Sequence, residues 1–283
     1  MSTARGRTAP ARVLPGAALL GVLTASACGA PLVVPDPASR PATERVDHRA
    51  SAPADAVVLL GVDGAGRPRQ LGSAEVRVGA LSLDGGRIVV RGTSPVGDRA
   101  LRLPAFAPDP GPYPRAALTV APVGARDLLE PGTRPFTWGT DFRVDRSTGT
   151  SAVDNGDNLV QRGLSNDAGF FKAELDQRRP GCTVTGSEDT LIVHASERVV
   201  PGRWYHLRCE LSAGELAVHV TELTGEDGAR SFASHVSGFV GDVRFEHGVP
   251  LAIGGKVGLD GRLLPHATDQ FNGRIAAPYV GYL

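Results

Sequence analysis

The stretch "GRWYHLRCELSAGELAVHV" (Gly202–Val220) decides the fold. From Tyr205 the residues alternate: Tyr205, Leu207, Cys209 and Leu211 share one face of an extended chain. Trp204, His206, Arg208 and Glu210 share the other. Period-two patterning of this kind marks a half-buried strand. Ser212-Ala213-Gly214-Glu215 supplies turn chemistry, and Leu216, Val218 and Val220 resume the apolar alternation. The segment therefore predicts a β-hairpin with its apolar face inward. His206 and His219 fall on its facing arms, opposite the apolar stripe.

The same pattern recurs upstream. In "FTWGTDFRV", Phe136, Trp138, Phe142 and Val144 occupy one face. In "FFKAELD", Phe171, Ala173 and Leu175 face one way, and Lys172, Glu174 and Asp176 the other. Leu81 and Leu83 precede Asp84-Gly85-Gly86, and the Arg87–Arg91 run that follows predicts a second hairpin. Gly and Pro, 36 and 22 in number, interrupt every long segment, so no helical period survives. The fold class expected is all-β. Cys182 follows Pro180-Gly181, after the strand ending near Asp176, and Cys209 lies on the inward face of its own strand. A disulfide between them would stabilise the domain by roughly 3 kcal/mol through the closed loop. Two buried free thiols are the alternative, which an exported chain disfavours.

Export is read from residues 1–27. Arg5, Arg7 and Arg12 make a positive start, and Val13–Thr24 is apolar apart from Pro15, Gly16 and Gly21. That run is shorter than the roughly 20 residues a spanning helix needs, so it predicts a secretory signal peptide. Ala25-Ser26-Ala27 fits a cleavage site, and with Cys28 it resembles the bacterial lipobox, with Ala25 where Leu is usual. Two outcomes stay open: lipidation of Cys28 on the outer face of the cell membrane, or secretion. Residues 28–54, rich in Pro and Ala, read as a disordered tether. Without the leader's three arginines, 27 basic residues stand against 30 acidic ones. No basic patch points to nucleic acid. Lysine occurs only at 172 and 256, a bias that with abundant Ala, Gly and Pro fits a high-GC bacterial genome.

Several segments together carry a resemblance. "VGDRALRLPAF" (Val96–Phe106), "FTWGTDFRVD" (Phe136–Asp145), "DNLVQRG" (Asp157–Gly163) with "GFFKAEL", the Gly202–Val220 hairpin, "PLAIGGK" (Pro250–Lys256) and "DQFNGRIAAPYVGY" (Asp269–Tyr282) follow in order. The set resembles the laminin-G-like, concanavalin-A-like jelly-roll domain over residues 96–283. The resemblance implies two antiparallel sheets packed face to face, with one concave face available for binding. Pro278 in the closing strand calls for an edge or a bulge. Residues 55–95 have no counterpart and read as additional strands or an extended linker.

Candidate chemistry is sparse. Sandwiches of the resembled kind include glycosidases with Glu-x-Asp-x-x-Glu on one strand. Here Glu174-Leu175-Asp176 is followed by Gln177, Arg178 and Arg179, so the acid that would protonate a leaving group is absent. The bland reading makes Glu174 and Asp176 the solvated half of a strand. The resemblance also implies a calcium ion at the sandwich rim, for which Asp145, Asp154 and Asp157 are the candidate ligands. Ordinary turn chemistry in Asp154-Asn155-Gly156-Asp157-Asn158 is the alternative. No histidine pair has zinc spacing. The function expected is a surface-tethered, non-catalytic domain that recognises a carbohydrate or other extracellular polymer, with the membrane reached through the lipid only. A glycan-cleaving enzyme and a structural envelope protein are the other readings.

Overall fold

The computed structural model describes residues 52–53, 55–107, 113–124, 126–145, 156–224, 230–246, 248–264 and 269–283. The signal peptide, Cys28 and nearly all of the tether lie outside them. Among the described residues the chain forms sixteen strands, numbered in chain order, and no helix. One sheet runs β14 (Ser231–Ser237), β13 (Glu215–Glu222), β12 (Tyr205–Ser212), β7 (Phe136–Val144), β16 (Gly273–Tyr282), β1 (Val58–Val62) and β2 (Pro68–Gln70). It gains β5 (Arg99–Arg102) on β16 and β4 (Val89–Thr93) on β5, making nine strands. The second sheet runs β11 (Thr190–His194), β10 (Arg179–Thr185), β9 (Phe170–Asp176), β8 (Asp157–Arg162), β15 (Leu251–Ile253), β6 (Arg115–Pro122) and β3 (Val76–Leu83). The result is the two-sheet antiparallel jelly-roll sandwich.

Alternation along the strands builds the core between the sheets. Phe136, Trp138, Phe142 and Val144 of β7 are fully buried. Phe136 and Trp138 stack at 4.7 Å, and both meet Phe171 of β9 across the sheets at 5.3 Å. Burying each such ring contributes roughly 1.5–3 kcal/mol. The hairpin of β12 and β13 forms in the expected register, Ser212 opposite Glu215, with Gly214 at φ 86° in the turn. Cys182 lies on β10 and Cys209 on β12, and they are disulfide-bonded with Cα atoms 5.7 Å apart. The bond thus ties one sheet to the other through the core.

One local expectation is changed, and two left open are resolved. The Asp84-Gly85 turn forms, with both residues at positive φ and Gly86 N–H bonded to Leu83 O. Its flanks do not pair as a hairpin, however. β3 pairs with β6 in the seven-stranded sheet, while β4 pairs with β5 in the nine-stranded sheet. The turn carries the chain from one layer to the other. Gly86 lies so close to the Arg115 backbone that an added Cβ would stand 2.1 Å from its oxygen, so only glycine fits there. Residues 55–95, open between strands and linker, supply strands to both sheets. Pro278 sits in a register shift between Ala276 and Tyr279, with Ala277 at φ 45°. The strand is central rather than an edge. The irregularity lets β16 pair with β5 along one half and β1 along the other, while Pro278 donates to no ladder bond.

Candidate functional site

The outward face of the nine-stranded sheet is built by the strand residues that the core does not take. Register places Asp141 of β7, His206 of β12, Thr221 of β13 and Ser231 of β14 in one row across four strands. Tyr279 of β16, Gly139 of β7, Arg208 of β12 and His219 of β13 form the next row. Over these rows lies a cleft of about 630 Å³, within the range of small-molecule sites. His206, Arg208, His219, Thr221, Ser231 and Tyr279 are among its lining residues, and Phe232 and Val220 add apolar surface.

Gly139 makes the geometry possible. An added Cβ there would stand 2.0 Å from Leu207 O and 3.0 Å from the Tyr279 hydroxyl. The phenol therefore lies across the strand that a side chain would have filled. The Tyr279 ring stacks with the His206 imidazole at 6.0 Å and an interplanar angle of 6°. Tyr279 is fully buried, and desolvation raises its pKa far above the usual phenol value. The Thr137 side chain is its hydrogen-bonding neighbour and opposes part of that shift.

Behind the cleft, His206 Nδ1 and Asp141 Oδ1 are 2.8 Å apart. With Asp141 ionised, Nδ1–H donates and Nε2 is the nitrogen left for other partners. Asp141 is fully buried, and its Oδ2 has no partner among the described residues. Its charge, after desolvation, is the second cause raising the pKa of Asp98. His219 is lowered from its ordinary value, first by desolvation, then by the positive charge of Arg208. Arg208 pairs with Glu210 at 3.2 Å and stays well exposed. The Thr221 and Ser231 hydroxyls are 3.0 Å apart.

The acids singled out from the sequence lie elsewhere. Glu174 is on the outward face of the seven-stranded sheet, ion-paired with Lys172. Asp176 ends β9, and Gln177 and Arg178, both at positive φ, turn the chain into β10. The third position of a Glu-x-Asp-x-x-Glu motif thus falls in a turn and on the return strand. A neighbouring pair, Lys256 and Asp269 at 2.7 Å, adjoins Glu174. A Cβ on Gly156 would lie 3.4 Å from Glu174 Oε2 and 3.6 Å from Asp269 Oδ1. For calcium, Asp145 is bound by Arg102 at 2.7 Å, Asp157 is buried at the start of β8, and Asp154 lies outside the described residues. No group of three or more His, Cys, Asp or Glu among the described residues is placed to hold a metal ion.

Trp204, off the core stripe in the sequence, is buried against Ala100 and Ala276 and offers no exposed ring. Sequence reasoning missed Asp141, Tyr279 and the Arg162–Asp127 pair. The alternation of "FTWGTDFRV" put Asp141 on the outer face, but only the β7–β12 register brings it to His206. The Arg162 guanidinium is fully buried. It is bound to Asp127 and Val249 O, and lies 4.2 Å from the Phe245 ring centre.

No known protein-family profile matches the chain, and no curated protein matches it. Solved structures do. The binding domain of Paraclostridial Mosquitocidal Protein 1 superposes with a TM-score of 0.54 at 12% identity, covering 80% of this chain and 48% of that one. The botulinum neurotoxin serotype G binding domain gives 0.51 at 8% identity, covering 80% and 47%. The LG1-3 region of the laminin alpha2 chain gives 0.43 at 12% identity, covering 77% and 36%. The chain thus spans about half the length of the two toxin domains. What it shares with the two toxin domains is the fold alone, a two-sheet jelly-roll sandwich.

Proposed function

We propose that this protein is a surface-displayed recognition domain that binds a carbohydrate or other extracellular polymer without cleaving it. The cleft on the nine-stranded sheet carries the reading. It combines hydroxyls, imidazoles and a guanidinium above buried rings. Polar groups of that kind orient a ligand. The sandwich supplies a rigid platform, and similar sandwiches serve as binding domains in the two toxins above. That likeness is one of fold, so the cleft chemistry bears the weight. The disulfide suits an oxidising compartment. Lipidation of Cys28 would hold the domain at the outer membrane face through residues 28–54, and cleavage without lipidation would release it.

A panel of soluble and cell-wall polysaccharides, assayed for both binding and release of reducing ends, tests the proposal. Binding without release is the expected result. Release abolished by Glu174→Gln would replace it with the glycan-cleaving reading. Silence in both assays favours a structural envelope role. Intact mass of protein recovered from membranes reads the state of Cys28. Melting curves with millimolar Ca²⁺ test the ion at Asp145, Asp154 and Asp157, and an unchanged midpoint removes it.

A further inference from the structure

We infer that the cleft on the nine-stranded sheet takes an anionic group of a saccharide, a carboxylate or sulfate ester, and that binding is linked to proton uptake by His219. This rests on the recognition reading above and names the ligand chemistry of the same site.

The lining is asymmetric in charge. Three of its side chains, His206, Arg208 and His219, are basic, and none is acidic. Its remaining polar members are hydroxyls, which donate readily to an anion. The carboxylates nearby are already engaged. Asp141 is buried behind His206 and bound to its Nδ1, which leaves Nε2 as the nitrogen for a ligand. Glu210 pairs with Arg208, but that pair is exposed, and exposed pairs exchange partners at little cost. Tyr279, fully buried, backs the cleft with its ring stacked on the His206 imidazole. Arg208 attracts an anion to this lining and repels a cation.

Proton linkage follows from the neighbours of His219. From β12 it faces Arg208, His206 and Glu210, and along its own strand Glu215. From β14 it meets Ala233 in register, with His235 opposite Ala217 further along. From β16 Tyr279 shares its row. Desolvation, and then the charge of Arg208, oppose protonation of the imidazole in the empty cleft. An anion seated between Arg208 and His219 reverses both the local charge and the cost of protonation.

Calorimetry on the whole chain with dextran, dextran sulfate and polygalacturonate tests this, across about pH 8 to about pH 5.5, the range over which histidine titrates. The two charged polymers are expected to bind and uncharged dextran not to. Affinity should rise by up to ~10-fold toward the acid end, with proton uptake seen as a dependence of the heat on buffer ionisation. Arg208→Ala should weaken binding by ~10-fold or more, as expected for a charged hydrogen-bonding partner. His219→Gln should flatten the pH dependence. Arg244→Ala removes the same charge from an exposed pair with Asp242 and should change nothing. Matching melting midpoints show that each variant is folded. Dextran binding that depends on Arg208 would overturn this inference and leave recognition standing. Charged-polymer binding that survives both cleft substitutions, or that Arg244→Ala weakens equally, would overturn it as non-specific or misplaced. Absence of binding by any polymer would overturn both.

Discussion

The two outward faces of the sandwich are built by the same alternation and treat charge in opposite ways. On the seven-stranded sheet, the only two lysines of the chain, Lys172 and Lys256, are each clamped to a carboxylate, Glu174 and Asp269. Those pairs satisfy one another and leave little for a ligand. On the nine-stranded sheet Arg208 and Glu210 also pair in the open, but a second acid, Asp141, is sunk beneath the surface with its partner His206 presented above it. The His206 ring therefore reaches the cleft with Nδ1 engaged and Nε2 left for a ligand. Acids and bases side by side in one plane cancel. Acids placed behind bases polarise the base and leave it available.

A matched pair of glycines breaks the comparison most sharply. Gly139 underlies the cleft, and a Cβ there meets the Leu207 carbonyl oxygen at 2.0 Å. Backbone cannot swing aside as a side-chain tip can. Gly139→Ala is expected to cost about 3 kcal/mol or more, with loss of the Tyr279–His206 stack. Gly156 underlies the charged pairs, and its Cβ would meet Glu174 and Asp269 at ordinary contact distances. Gly156→Ala should stay within about 1 kcal/mol of the parent, and its smaller unfolded-state entropy favours it. Urea midpoints of the two variants decide the matter. Equal losses would mean that the cleft has no special packing demand.

The glycine pair also shows where sequence legibility stops. Alternation in "FTWGTDFRV" and "WYHLRCEL" was sufficient to orient β7 and β12, because one buried face fixes every side chain by parity. It also put His206, Arg208 and His219 on the outer face. Which outer residues touch depends on strand order and register, and these are long-range. Asp141 meets His206 across 65 positions, and Tyr279 reaches them from the closing strand. The Asp84-Gly85 turn makes the converse point. Its local chemistry was legible and correct, but a turn that feeds a hairpin and a turn that changes layers look alike in one dimension. Glu174 and Asp176 drew notice as a spaced acid pair. The chain's turn at Gln177-Arg178 removes the rest of that motif.

Removing the acid from each face gives the next effect. Asp141 is fully buried and is bonded to His206 Nδ1. Asp141→Ala leaves a buried donor unsatisfied, which costs about 1–3 kcal/mol, and it should free the ring from its tautomer. Glu174→Ala removes one member of a partly exposed pair, for which about 0–1 kcal/mol is usual. A second measurement sharpens the contrast. The His206 nitrogen-15 shifts should move in Asp141→Ala and remain unchanged in Glu174→Ala. A larger loss at Glu174 would show that the charged face is structurally the more demanding of the two.

The smallest effect is a slope rather than a loss. His219 has a folded-state pKa below its ordinary value of 6.5, because burial and then Arg208 oppose its charge. In the unfolded chain the same imidazole binds a proton as pH falls through that ordinary value, while the folded protein does not. The unfolded state then holds more protons, so folding stability falls with pH in this window and levels off below the folded-state pKa. Above the ordinary value both states are neutral and the contribution vanishes. His219→Gln should therefore flatten part of the acid limb of stability against pH, leaving the neutral plateau unchanged. An anionic ligand should act in the opposite sense, tightening as pH falls because it repays the charge that the empty cleft rejects. Denaturant titrations at several pH values, with and without dextran sulfate, separate the two. If acid weakens both the fold and the complex, the imidazole is a buried structural group and the cleft has no proton to offer its ligand.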